Sequence, residues 1–131
     1  MNNSYSGPER RRSPRVRVEF TLIYRVDRPM EVRMSVGNKE VNALMLDLSE
    51  LGLAILTDYD LPLSTALSIK FTLMNLYAYG DEQIRVMEIS GEVRNNTLTE
   101  KNEHRLGILF TQITQEEKTA IAKFVRMALN R

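Results

Sequence analysis

The sequence predicts a mainly β domain: about six short antiparallel strands wound into a barrel, with one helix at the C-terminal end. Three observations predict it. Apolar and polar residues alternate from Val16 to Arg25, the period of a half-buried strand. Turn-forming residues then recur every ten or so positions between further alternating runs. At the end the period changes, with Ile121, Phe124, Val125 and Ala128 at the i, i+3, i+4, i+7 spacing of a helical stripe. A barrel is preferred to an open sheet because closure removes the unpaired edges.

Taken in order, residues 1–8 carry no periodicity and read as a disordered tip ahead of a single domain, 9–131. Residues 9–17 form an arginine-rich arm, extended because Pro14 disfavours helix at Ser13 and removes a backbone donor. The first strand starts at Val16 and breaks at Asp27-Arg28-Pro29. A short strand is expected around Met30–Val36, before a turn at Gly37-Asn38-Lys39. Val41–Leu48 is a clear strand, and Ser49-Glu50-Leu51-Gly52 turns it into Leu53–Thr57. Asp58–Leu63, with Pro62, is a loop, and Leu67–Leu73 alternates again. Asn75–Asp81 is ambiguous. Gln83–Arg94 reads as a long strand whose Gly91 marks a bulge or a close backbone approach. Asn95–Glu103 reads as a polar hairpin loop and Arg105–Ile113 as the last strand. Thr114-Gln115-Glu116-Glu117 then has the form of a capping box, opening a helix over residues 115–130.

Composition excludes several chemistries. The chain of 131 residues has no cysteine and one histidine, so neither a disulfide framework nor a thiolate or histidine-rich metal site can be built from it. No apolar run approaches the roughly 20 residues that span a bilayer. Met1–Gly7 lacks the apolar core of a secretory signal, and a cytoplasmic location without membrane insertion is expected. His104 lies in a polar run and is expected to be exposed. Tyr77 and Tyr79, near Gly80, are read as partly buried, and the methionines as core residues. No nucleophilic triad, phosphate loop or carboxylate pair is present, and no enzyme activity or cofactor is expected.

Charge is concentrated in one place. Glu9-Arg10-Arg11-Arg12-Ser13-Pro14-Arg15-Val16-Arg17 holds five arginines and one glutamate, whereas the remainder has 13 basic against 16 acidic residues. Arginine supplies the whole cluster, and its planar fork suits bidentate phosphate contact and stacking on flat rings. The second distinctive stretch is Asp47-Leu48-Ser49-Glu50-Leu51-Gly52, at a strand–turn–strand corner. Asp47 and Ser49 are two apart and share a face if the strand is regular. A carboxylate there can accept from the N1–H and N2–H₂ edge of a guanine, and Gly52 supplies a left-handed turn residue or a close backbone approach. Each stretch alone has a plainer reading, a solvated basic arm for the first and an ordinary turn for the second.

The two stretches in this order resemble the PilZ domain family, whose paired signature is Arg-x-x-x-Arg followed by Asp-x-Ser-x-x-Gly. Ile89-Ser90-Gly91-Glu92-Val93, Leu106-Gly107-Ile108-Leu109-Phe110 and the terminal helix resemble its later elements, so the likeness spans about residues 9–130. It implies a six-stranded antiparallel barrel that binds the bacterial second messenger cyclic di-GMP. Carried over, Arg11 and Arg15 grip phosphate and stack on guanine, Asp47 and Ser49 meet a guanine edge, and Gly52 shapes the turn. Arg10 stands just before the motif, where an arginine accompanies an intercalated ligand dimer in the family. Arg12 and Arg94 are additional candidates. The expected function is a receptor whose N-terminal arm changes conformation on binding and signals to a partner protein controlling motility, exopolysaccharide synthesis or biofilm formation. Two other readings are a ligand-independent interaction adaptor of the same fold and a basic-arm nucleic-acid binder. The acidic balance of the remaining chain disfavours the last, and no nucleic-acid partner is expected.

Overall fold

The computed structural model describes residues 14–74 and 84–129. Six described strands, β1 (Val16–Arg28), β2 (Val41–Leu48), β3 (Gly52–Thr57), β4 (Ala66–Met74), β5 (Ile84–Leu98) and β6 (His104–Gln112), close into a barrel in the order β1-β2-β3-β6-β5-β4. Every neighbouring pair is antiparallel, and β4 returns to β1 to complete the ring. The tip 1–8, Arg10, Arg11 and Arg12, the ambiguous stretch 75–81 with Tyr77 and Tyr79, and Asn130 lie outside the described residues.

Alternation explains the interior. Leu22, Tyr24 and Val26 of β1 point inward with Val41, Ala43 and Met45 of β2, and Leu67, Ile69, Phe71 and Leu73 of β4 complete that side. Met87, Ile89 and Val93 of β5 meet Leu106, Ile108 and Phe110 of β6. The Tyr24 hydroxyl inside this core bonds the Thr57 hydroxyl at 2.8 Å, so neither polar atom is orphaned.

Two helices flank β1. At its far end, Met30–Ser35 is a one-and-a-half-turn helix, α1, and not the short strand that its sequence pattern predicts. Met30, Val32, Met34 and Val36 fit a period of two, but Val32 and Val36 are also four apart. Only that pair packs on the core, while Met30 and Met34 are exposed. After Pro29 the chain has no strand neighbour, and a helical turn satisfies its backbone locally: Arg33 N–H donates to the Pro29 carbonyl at 3.0 Å.

The helix α2 (Gln115–Leu129) packs by the stripe that the sequence predicts. Ile121 and Val125 are buried, and Phe124 meets Phe20 of β1 edge-on with ring centroids 5.7 Å apart. The capping box is formed reciprocally: Glu117 N–H donates to the Thr114 hydroxyl at 3.1 Å, and Thr114 N–H donates to a Glu117 carboxylate oxygen at 2.9 Å.

The β5–β6 hairpin is longer than its polar sequence predicts. Asn95–Leu98 belong to the ladder, leaving only residues 99–103 as the turn. Side chains hold these poor strand formers in place, since Asn96 Nδ2 donates to Asp60 Oδ1 at 2.7 Å and to the Leu61 carbonyl at 2.9 Å. His104, expected to be exposed, is mostly covered here, with Nδ1 2.9 Å from Asn96 Oδ1.

Candidate functional site

Asp47 owes its position to an irregularity in β2. Strict alternation from Val41, Ala43 and Met45 would send residue 47 into the core. The register instead slips between Met45 and Asp47 against β3, where two steps of β2 oppose one of β3, so Leu46 is the extra residue of a bulge; at the same level β1 carries a surplus residue of its own between Arg17 and Phe20. Met45 and Leu48 are both buried, and Asp47 between them is turned outward, opposite Arg17 of β1.

The corner that follows is fastened by Ser49. Its backbone N–H donates to the Gly52 carbonyl at 2.9 Å. Its hydroxyl accepts from Leu51 N–H at 3.2 Å and Gly52 N–H at 3.3 Å, and donates toward the Gly52 carbonyl at 3.3 Å. Ser49 is 1% exposed, so its hydroxyl is enclosed in the turn, apart from the outward-facing Asp47. Gly52 presses on the backbone of Ile108, and Phe110 N–H donates to the Leu51 carbonyl at 2.9 Å, tying the corner to β6.

Around Asp47 the charges are arranged asymmetrically. The carboxylate is 14% exposed. Arg105 Nη2 donates to Oδ2 at 3.2 Å, while Arg15 Nη1 lies 3.5 Å from Oδ1 without hydrogen-bond geometry. Oδ1 is therefore a buried acceptor attracted by a cation but bonded to nothing among the described residues. Arg17, Val18, Glu19, Leu46, Asp47 and Arg105 line an open groove of about 500 Å³, a size that suits a small molecule. A smaller apolar hollow of about 220 Å³ lies between Pro14, Glu50 and the α2 residues Ala122, Val125, Arg126 and Leu129, so the end of the arm adjoins the helix.

Of the residues singled out from sequence, the structure brings Arg15 to Asp47 and places Ser49 and Gly52 in the corner behind it. Arg10, Arg11 and Arg12 are not described. Arg94 stands on β5 and its ion pair is with Glu92 at 3.7 Å, away from Asp47. Arg105 is the residue that sequence reasoning missed. Its only signal is position: it precedes Gly107 by two, on the outward face of the closing strand.

Comparison with known proteins bears on this geometry. The family model described as the PilZ domain matches residues 9–127. No curated protein matches the chain by sequence. Among solved structures, the Bacillus subtilis inhibitor of motility MotI/DgrA superposes with a TM-score of 0.73 at 16% identity, covering 92% of this chain and 52% of that one. The PilZ domain of Escherichia coli YcgR with c-di-GMP gives 0.60 at 14% identity, covering 92% of each chain. The K. pneumonia MrkH–c-di-GMP complex gives 0.60 at 16% identity, covering 92% of this chain and 52% of that one. The chain thus spans about half the length of MotI and MrkH and nearly all of the isolated YcgR domain. At these identities the likeness is one of fold. With the family model matched over almost its whole length, the chain belongs to the PilZ domain family.

Proposed function

We propose that this chain is a noncatalytic receptor for cyclic di-GMP. The observation that carries the reading is the Asp47 carboxylate, turned off the barrel beside Arg15 at the end of an arginine-rich arm, whose buried Oδ1 has no hydrogen-bond partner among the described residues. A guanine edge offers two N–H donors to a carboxylate, and a cyclic dinucleotide offers two phosphates and two flat bases to arginines. Arg11 and Arg15 grip phosphate and stack on guanine, with Arg12 beside them in the arm. Arg10 adds the stacking surface for an intercalated dimer. Ser49 and Gly52 hold the corner from which Asp47 projects. The YcgR domain and MrkH are both solved with c-di-GMP, which supports the assignment by family.

Each charge-assisted hydrogen bond contributes on the order of 1.5–3 kcal/mol. Several of these, less the cost of ordering the arm, give affinity in the roughly micromolar to nanomolar range. Docking of the arm that precedes β1 onto the barrel is the conformational signal, read by a partner protein in the cytoplasm with motility, exopolysaccharide synthesis or biofilm formation as the output. No helix among the described residues is long and apolar enough to cross a membrane.

Isothermal titration tests the reading. Cyclic di-GMP should give saturable heat at micromolar concentration or below, with the molar ratio reporting one ligand or an intercalated pair; absence of heat at high micromolar ligand overturns it. Trypsin, which cuts after arginine, reads the second half of the proposal: ligand should protect the bonds following Arg10, Arg11 and Arg12, and unchanged cleavage refutes arm docking.

A further inference from the structure

The Asp47 carboxylate is held by a residue on a strand that does not neighbour its own. Both β2 and β6 flank β3, so a bond between Asp47 and Arg105 has to pass over β3. The register shows where. Asp47 pairs with Ala54, and Ala54 pairs with Gly107, a single row across three strands. Arg105 sits two residues from Gly107 on the same face. Alanine and glycine keep that row low, and the guanidinium can lie across it to reach Oδ2 at 3.2 Å. Oδ2 keeps a second lone pair, and Oδ1, although enclosed, has no hydrogen-bond partner among the described residues. A carboxylate with one oxygen tied and the other enclosed and unbonded is a preorganised acceptor, because its rotation has been restricted before any ligand arrives.

We infer that Arg105, reaching across Ala54, is a positioning residue that sets the plane of the Asp47 carboxylate and so makes the site selective for a base with two adjacent N–H donors. The inference rests on the cyclic di-GMP reading of the site and adds to it the device that orients the base-reading group. Arg105 acts through Asp47; the phosphates belong to the arm. Arg15 cannot substitute, since it approaches the other oxygen and belongs to the segment that the ligand engages. The small residue at position 54 is part of the device, because a longer side chain there would stand in the path of the guanidinium.

The test compares cyclic di-GMP with cyclic di-IMP, whose hypoxanthine base lacks the N2 amine, by titration against the full chain and its Arg105→Met variant. The wild type should prefer the guanine ligand by about tenfold or more, as expected when a site built for a donor meets a ligand without it. Arg105→Met should reduce that ratio below about threefold while binding cyclic di-IMP within about twofold of wild type. Arg105→Lys, which keeps the charge but not the fork, should fall between. Ala54→Leu should imitate Arg105→Met, and Arg105→Gln carries the same comparison if the methionine variant fails to fold. Equal losses for both ligands would make Arg105 a phosphate or scaffold contact and overturn the inference, as would an unchanged ratio. If the wild type binds cyclic di-GMP but does not discriminate, the inference falls alone. If the wild type binds neither, the reading of the site falls first.

Discussion

Gly52 lies so close to Ile108 across the β3–β6 ladder that no other residue fits there. A β-carbon at position 52 would stand inside the contact distance of the Ile108 carbonyl oxygen, 3.0 Å from the carbonyl carbon and 3.2 Å from the Leu109 Cα. The atoms in the way are backbone atoms of a paired strand, which cannot swing aside. Sequence alone left two uses open for this glycine. Gly37 is the one described glycine with positive φ, so close approach is the use that applies at Gly52.

Gly52→Ala should therefore lower stability by about 1–3 kcal/mol in urea unfolding, the usual cost of forcing an atom into packed structure. Because the corner would move, ligand affinity should fall as well. Wild-type stability in this variant would show that the ladder can yield.

Arg15→Ala should abolish detectable cyclic di-GMP binding. The apo melting temperature should stay within about 2 °C of wild type, since a half-exposed ion pair at 3.5 Å contributes little to folding. Asp47→Ala should weaken cyclic di-GMP more than it weakens unrelated phosphates, and equal losses would contradict a base-reading role.

Tyr24 makes alkaline stability a test of the core. Burial pushes its phenol up from the ordinary 10.0 to about 12, partly opposed by the Thr57 hydrogen bond, with Tyr59 and Asp58 adding small upward effects. The raised value means that the folded state favours the neutral form. Its contribution is complete below pH 10 and is lost as pH rises through 12, up to on the order of 2 kcal/mol. Chemical unfolding measured from about pH 9 to 12 should show a steeper decline for wild type than for Tyr24→Phe. At neutral pH the variant should be less stable by about 1–2 kcal/mol, because the Thr57 hydroxyl loses its buried partner.

Thr114→Ala removes one half of the reciprocal cap at α2 and should cost about 1 kcal/mol. Amide exchange should quicken in the first turn of the helix, at Glu117 and Lys118, and remain slow at Ile121 and Val125, whose side chains are buried. Uniform change along the helix would mean that the cap is not a local device.

Strands and the closing helix were legible in the sequence because burial there follows a fixed period. Where the sequence misled, two explanations fitted the same letters. Met30 to Val36 suits either period, and exposure alone shows which residues face the core. Asn95–Leu98 look like loop because their strand conformation depends on Asn96 reaching residues some 35 positions earlier. At the site, the motif residues announce themselves by type and spacing, whereas Arg105 becomes visible only when the barrel closes and sets β6 two strands from β2. Ser49 was legible as a motif residue but not as the clasp of its own turn, since a hydroxyl's partners depend on where the backbone folds back.

The bulge at Leu46 has an evolutionary consequence. Deleting that single codon would let Met45, Asp47 and Leu48 follow one another in plain in–out–in order, with the acid still facing water, and would leave Val18 and Glu19 of β1 without counterparts. Shortening the strand thus spares the acid, and a lineage of this barrel goes deaf to its messenger by exchanging Asp47 itself, with its architecture intact.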